Sequence, residues 1–122
     1  MSTFIELKDE AEQQIRAHIR STSSESAHHF VVDSTNYFVE HGAALVAALR
    51  VWAVPRQKSD ADLRALMDLA SPTTLLNIAR RLAQGHSPNE LLASVQLEAI
   101  AYAPLHQLSD TLEFARKGLK PS

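Results

Sequence analysis

Residues 23–54 alternate at steps of four and three between positions that are mostly apolar. The residues at this spacing are Ala27, Val31, Ser34, Phe38, His41, Leu45, Ala48 and Trp52. This is the a/d spacing of a helix that packs against other helices, and it does not fit the period of two of a strand. Thr22 and Glu25 form a possible capping box at its start, and Pro55 ends it because the residue before a proline avoids helical geometry. We therefore predict one long central helix over about residues 23–54.

The length of this predicted helix has a geometric consequence. About 30 residues at 1.5 Å each extend over about 45 Å, whereas a compact chain of this size has a radius of gyration of about 14 Å. One end of the helix should then overhang the bundle and need a partner to cover it. Gly42 lies within this stretch and gives it an alternative structure. A glycine inside a helix costs about 1 kcal/mol relative to alanine, so the stretch could instead divide into two shorter helices.

Helix-start signals elsewhere predict the remaining helices. A Ser or Thr that caps a first turn, followed by proline or by an acidic residue three positions later, is typical of a helix N-terminus. Such positions are Thr3, Ser59, Ser71 and Ser87, and Pro104 restarts the chain before the last helix. The first helix should run to about Arg20, and the serine-rich residues 21–26 should form a turn.

The apolar sides of these helices complete the predicted fold. In the helix after Ser87, the amphipathic pattern places Leu92, Val95, Ala99 and Tyr102 on one apolar side. Only three glycines occur in the chain, and no segment has the alternation of a strand. We predict an all-α fold in a single domain, 1–122. It should be a five- or six-helix bundle organised around one long central helix, with residues 1–2 and 119–122 frayed.

Composition and charge restrict the classes of function. A hydrophobic share of 45% and a charged share of 21% are typical of a globular protein. The formal net charge of −2 and the scattered basic residues disfavour binding to nucleic acid through a basic face. The absence of cysteine excludes disulfides and thiolate chemistry. Residues 43–54, the most apolar run, contain Arg50 and are shorter than the about 20 residues that span a bilayer. With no secretory signal at the start, we expect a soluble cytoplasmic protein that does not bind membranes.

One group of polar residues on the central helix could bind a metal. His29 and Asp33 lie four residues apart, with His28 and Glu40 nearby, and imidazole and carboxylate groups are ligands for zinc. Two ligands on one helix are equally typical of a solvated polar face, which we favour. We therefore predict no metal site and no cofactor.

His41 is a polar residue within the apolar spacing, near Tyr37 and Ser34. A buried imidazole needs a hydrogen-bonding partner, which either hydroxyl could supply. The residue could be a pH-sensitive contact or a polar position that fixes how helices pair. We favour the second interpretation.

Residues 77–96 suggest a helix-turn-helix. Within them, residues 82–91 resemble the LAxGxSxxEL pattern that precedes the recognition helix in LuxR-type DNA-binding domains. That resemblance implies a further turn and a recognition helix, but residues 93–103 continue helically and contain no Lys or Arg for phosphate or guanine contacts. We assign no family. DNA binding through 77–96 is kept as the alternative to a plain αα-hairpin.

The sequence favours a protein-interaction function over catalysis. No nucleophile motif, glycine-rich phosphate loop or paired-histidine zinc signature occurs. We expect a non-catalytic module, forming a homodimer, that binds and regulates another protein, as a bacterial antiactivator, adaptor or immunity-type protein does. The residues expected at the partner or dimer interface are Phe30, Tyr37, Phe38, His41, Leu45 and Trp52. Of these, Leu45 and Trp52 should also serve the core.

Overall fold

The computed structural model describes residues 2–22 and 32–120. Over these ranges the chain forms six α-helices and no strand, with one 3-10 turn, Val54–Arg56, after the second helix. The helices are α1 (Phe4–Thr22), α2 (Val32–Ala53), α3 (Asp60–Asp68), α4 (Pro72–Ala83), α5 (Pro88–Ala101) and α6 (Leu105–Lys117). The predicted all-α bundle of five or six helices is confirmed.

Helix α2 lies at the centre of the core. Residues 42–49 are buried at every successive position, which requires neighbours all around the helix. These neighbours are α1, α5 and α6, each of which packs against α2. Residues 42–49 are therefore enclosed by neighbouring helices, whereas Asn36, Tyr37 and Glu40 nearer the start of α2 are exposed.

The predicted bounds of the central helix are not confirmed. The described helix begins at Val32, and residues 23–31 lie outside the described ranges. Its 22 residues extend over about 33 Å, compared with the about 45 Å from which an overhang was inferred. The described part of the chain therefore gives no support to the overhang.

Gly42 does not divide the helix, because α2 continues through it. Instead, the glycine allows α6 to approach closely. A Cβ atom built at this position would lie 3.0 Å from the backbone nitrogen of Ala115 and 3.0 Å from Cβ of Phe114. A side chain at this buried position would therefore require α6 to shift by a few tenths of an ångström.

Four predicted helix starts are confirmed by their hydrogen bonds, whereas Thr22, which was predicted to cap the central helix, lies within α1. The hydroxyl oxygens of Ser59, Ser71 and Ser87 each accept a bond from the backbone N–H three residues later. Thr3 does the same for Glu6 at 3.2 Å. Helix α1 extends to Thr22, past the predicted end. Helix α2 ends at Ala53, two residues before Pro55, the residue predicted to end it.

A polar network fastens the C-terminal segment to α2 and α3. The Arg50 guanidinium lies 3.0 Å from the Asp60 carboxylate, and the same carboxylate accepts a hydrogen bond from the backbone N–H of Lys120 at 2.7 Å. Arg64 donates to the Lys120 carbonyl at 3.1 Å. Leu119 is buried. Residues 119 and 120, predicted to fray, are therefore tied to the bundle.

One segment, Asn36–Arg56, is long and apolar enough to cross a membrane on length and composition alone. Within the bundle, 61% of it is buried. A core helix of a folded domain has the same properties, and α2 occupies that position.

Candidate protein interface

Helix α5 has two apolar faces, and the larger side chains lie on the outer one. The exposed residues of this face are Leu91 (45% exposed), Leu92 (38%), Val95 (59%), Ala99 and Tyr102 (70%). At 3.6 residues per turn they fall within a sector of about 100°. We call these five residues the α5 stripe. An amphipathic helix turns its apolar side to the core, so the orientation implied for Leu92, Val95, Ala99 and Tyr102 is wrong.

The opposite face of α5 explains this orientation. Its buried residues are Ala93, Ser94, Leu97, Ile100 and Ala101. Three of these five side chains are small, which lets the helix lie close to α2 and α4. The Ser94 hydroxyl donates a hydrogen bond to the Ala79 carbonyl of α4 at 2.8 Å, so the buried polar group is satisfied. The sequence pattern correctly placed Leu92, Val95, Ala99 and Tyr102 on one face of α5. It could not show that the opposite face, which is also apolar, is the one that packs in the core.

An apolar cleft adjoins the stripe where α1 and α5 both begin. Its volume is about 410 Å³. It is lined by Ser2, Thr3, Phe4, Ile5, Ser87, Pro88, Asn89 and Leu92. The side chain of Asn89 connects the two helices: its Oδ1 accepts a hydrogen bond from the Phe4 N–H, and its Nδ2 donates to the Ser2 carbonyl at 3.4 Å. Ile5, at 63% exposure, extends the apolar surface beyond Leu92.

The stripe is nearly free of charge. Glu98 borders it on one side and Gln96 on the other, and α5 contains no Lys or Arg. A contiguous exposed apolar patch with a polar border is typical of an interaction site. On the adjacent α4, Arg80 and Arg81 are exposed and form no ion pair within the described part of the chain.

Three of the residues expected at an interface form an aromatic cluster. The rings of Tyr37 and His41 are 4.1 Å apart, and those of Tyr37 and Phe38 are 5.1 Å apart. Phe38 also stacks on Phe114 of α6 at 5.7 Å. Tyr37 is 44% exposed, whereas Phe38 and His41 are half-buried. An interface role for this cluster stays a prediction.

The other three expected interface residues are not part of this cluster. Phe30 lies outside the described residues. Leu45 is fully buried in the core, so it cannot contact a partner of the folded chain. Trp52 is half-buried at the far end of α2, where the Arg56 guanidinium lies 5.4 Å from its ring centroid. The exposure of the α5 stripe could not be predicted, because the spacing of its residues is that of an ordinary packing face.

Partial burial gives His41 an altered acidity. Desolvation lowers the pKa of the imidazole below its usual value of 6.5. Glu40 opposes this by raising the pKa, and Lys8 of α1 adds to the lowering. Compared with the unfolded chain, the folded protein therefore favours the neutral form of the His41 ring.

Of the four candidate metal ligands, only Glu40 has a described side chain. His28 and His29 lie outside the described residues, and so does the side chain of Asp33. Within residues 2–22 and 32–120, no group of three or more His, Asp or Glu side chains is placed to bind a metal ion.

The segment proposed as a helix-turn-helix is the antiparallel pair α4 and α5. Its turn includes His86, whose φ is 62°, and the Ser87 N–H donates to the Gly85 carbonyl at 2.9 Å. Residues 93–101 continue α5 without a second turn. The exposed face of α5 is the apolar stripe and carries no Lys or Arg for phosphate contacts, whereas Arg80 and Arg81 are exposed on α4. DNA binding through 77–96 stays an untested prediction.

Comparisons with protein-family models, curated proteins and solved structures found no match to this chain. The fold and surface define a class: an all-α bundle with an uncovered apolar face on α5.

Proposed function

We propose that this protein is a non-catalytic interaction module that binds another protein and regulates it by sequestering or inhibiting it. The observation that carries this proposal is the α5 stripe. Single exposed apolar residues are normal on any protein surface. Here five of them share one helix face, and Ile5 and the cleft extend it.

The chemistry of the stripe fits the centre of a protein interface. Such centres are rich in aromatic residues and poor in charge, and Tyr102 and the absence of Lys and Arg on α5 agree with this. Complete burial of a large apolar side chain contributes about 1.5 to 3 kcal/mol. A partner that covers Leu92, Val95 and Tyr102 would therefore gain much of its affinity from them.

Affinity capture with two matched variants tests the proposal. Val95→Asp places a charge at the middle of the stripe, and Asn77→Asp places the same charge on the exposed polar side of α4. We expect a protein that co-purifies with the wild type and with Asn77→Asp but not with Val95→Asp. Adding the wild-type chain, but not Val95→Asp, should then change the activity of that protein. Capture that is equal for all three baits, or absent for all three, would overturn the proposal.

A further inference from the structure

We infer that α3 and residues 119–120 form a latch, which opens as one unit while the rest of the bundle stays folded. The latch gives the chain a second conformation and does not involve the α5 stripe, which lies on another helix. Three features carry this inference. They are the sparse packing of α3, the polar contacts that hold it closed, and two buried polar groups that the closed position leaves without partners.

Helix α3 is the least extensively packed of the six helices in the described ranges. It has nine residues, too few for a helix to be stable on its own in water. Only Leu63 and Met67 of this helix are buried. The connections on both sides are exposed, through residues 54–59 before the helix and Leu69 (84%) after it. The helix can therefore separate without disturbing the packing of α1, α5 and α6 around α2.

Polar contacts hold α3 in place at its start, middle and end. At its start, the Asp60 carboxylate lies 3.0 Å from the Arg50 guanidinium of α2 and accepts the Lys120 N–H at 2.7 Å. One turn later, Arg64 donates to the Lys120 carbonyl at 3.1 Å. At its end, one more exposed ion pair connects Asp68 to α6. The most sheltered of these contacts are those of Asp60, so this residue contributes most to keeping the latch closed.

The contacts of the Lys120 backbone place residues 119–120 in the same unit as α3. The hydrogen bonds of its N–H and its carbonyl are both formed with α3, so opening of the helix breaks both. Gly118 instead packs against the bundle. A Cβ atom built there would lie 3.2 Å from Ile15 of α1 and 3.3 Å from Val46 of α2. The boundary of the latch therefore lies just after Gly118.

The closed position buries two polar groups that it does not satisfy. The Nε atoms of Arg50 and Arg64 are buried and have no hydrogen-bonding partner in the described part of the chain. A donor that loses its hydrogen bonds to water and gains none in exchange disfavours the state that buries it. Arg64 belongs to the latch and Arg50 is covered where Asp60 meets it, so opening returns both groups to water. The closed state consequently depends on the contacts of Asp60.

Opening also changes which apolar groups are accessible. Leu63, Met67 and Leu119 all belong to the latch, and each is at most 2% exposed when it is closed. Separation of the latch from the bundle exposes these side chains together with the surface that they cover. The protein thus has a hidden apolar surface, and the contacts of Asp60 control its exposure.

Hydrogen–deuterium exchange of the folded chain, measured by mass spectrometry as protection factors, tests the latch. In the wild type, the amides of residues 63–68 and 119–120 should be protected at least about tenfold less than those of residues 43–49. Asp60→Asn should lower the protection of 63–68 and 119–120 by about tenfold or more, because it removes the charge that holds α3 to α2. Asp110→Asn, at an exposed position of α6, is the control and should change it less than about twofold. Equal wild-type protection of 63–68 and 43–49 would overturn the inference.

A core substitution distinguishes opening of the latch from unfolding of the whole chain. Ile100→Val removes one buried methyl group from α5 and should lower the protection of residues 43–49 about two- to tenfold, because these amides exchange when the bundle unfolds. Residues 63–68 should keep their wild-type protection, since the contacts of Ile100 within the bundle persist when α3 opens. Loss of protection by the same factor in both ranges would show that α3 unfolds only with the bundle and would contradict the latch.

Discussion

At the scale of single residues, the absence of one methyl group at Gly42 lets α2 and α6 lie in contact. The atoms that a Cβ would meet belong to the Ala115 backbone and to Cβ of Phe114, both at 3.0 Å. Neither atom is the end of a flexible side chain, so the helices themselves would have to separate.

We expect Gly42→Ala to destabilise the fold by about 1 kcal/mol. Overpacking costs about 1 to 3 kcal/mol, and the better helix propensity of alanine returns about 1 kcal/mol. Urea denaturation of both proteins measures the difference. A higher denaturation midpoint for the variant would contradict the close approach of α6.

His41 should make stability depend on pH. Its pKa is lowered in the folded state, so the unfolded chain binds more protons as pH falls through about 6.5. The free energy of unfolding should therefore decrease as pH drops from 7.5 into the range below 6.5. His41→Gln should reduce this dependence, as measured by urea denaturation at each pH. The same substitution at exposed His106 controls for the general effect of removing a histidine. An unchanged pH dependence in His41→Gln would show that the imidazole is not desolvated.

At the scale of elements, helix starts could be predicted from the sequence because capping is a local interaction. A serine hydroxyl and the N–H three residues later lie close together at a helix start, independently of the rest of the fold. The orientation of α5 could not be predicted, because it depends on which face fits closely against α2 and α4. Ala93 and Ala101 give the flatter face, and that face is buried. Leu92 and Val95 belong to the face with the larger apolar side chains, but they remain exposed to solvent.

The cap of α5 can be tested by Ser87→Ala. The hydroxyl accepts the Glu90 N–H at 3.1 Å and donates to the Glu90 carboxylate at 2.8 Å. Its loss should destabilise the protein by about 1 kcal/mol, measured by thermal unfolding. Ser109→Ala, at an exposed position within α6, is the control and should have little effect. Equal effects of the two changes would contradict the importance of the cap.

At the scale of the whole molecule, the all-α bundle was predicted correctly, whereas the long central helix over residues 23–54 is not confirmed and the surroundings of α2 were not predicted. The a/d spacing from Phe38 to Trp52 predicted that the helix packs against other helices, but not how many of its sides are buried. The structure buries residues 42–49 on every side, because the alanines among them admit α1, α5 and α6. Leu45 is consequently a core residue, and the exposed apolar surface lies on α5. A pattern of spacing cannot indicate how many neighbours a helix has.

Asp60 connects distant parts of the molecule and can be tested by Asp60→Asn. Its carboxylate pairs with Arg50 of α2 at 3.0 Å and accepts the Lys120 N–H at 2.7 Å. Neutralising it leaves the largely buried guanidinium without its charged partner, at a cost of about 1 to 3 kcal/mol. Asp110→Asn, at an exposed position of α6, should cost far less. Similar unfolding free energies for the two variants would contradict this connecting role.

The central claim is that the α5 stripe is covered by protein when the chain functions. The most direct measurement is photo-crosslinking in the cells that produce the chain, from a photoreactive amino acid at position 95 or, as the matched control, at position 77. Position 95 should give adducts with another protein, as the proposed function requires, and position 77 should give none. Adducts from position 77 alone, or from neither position, would contradict the claim.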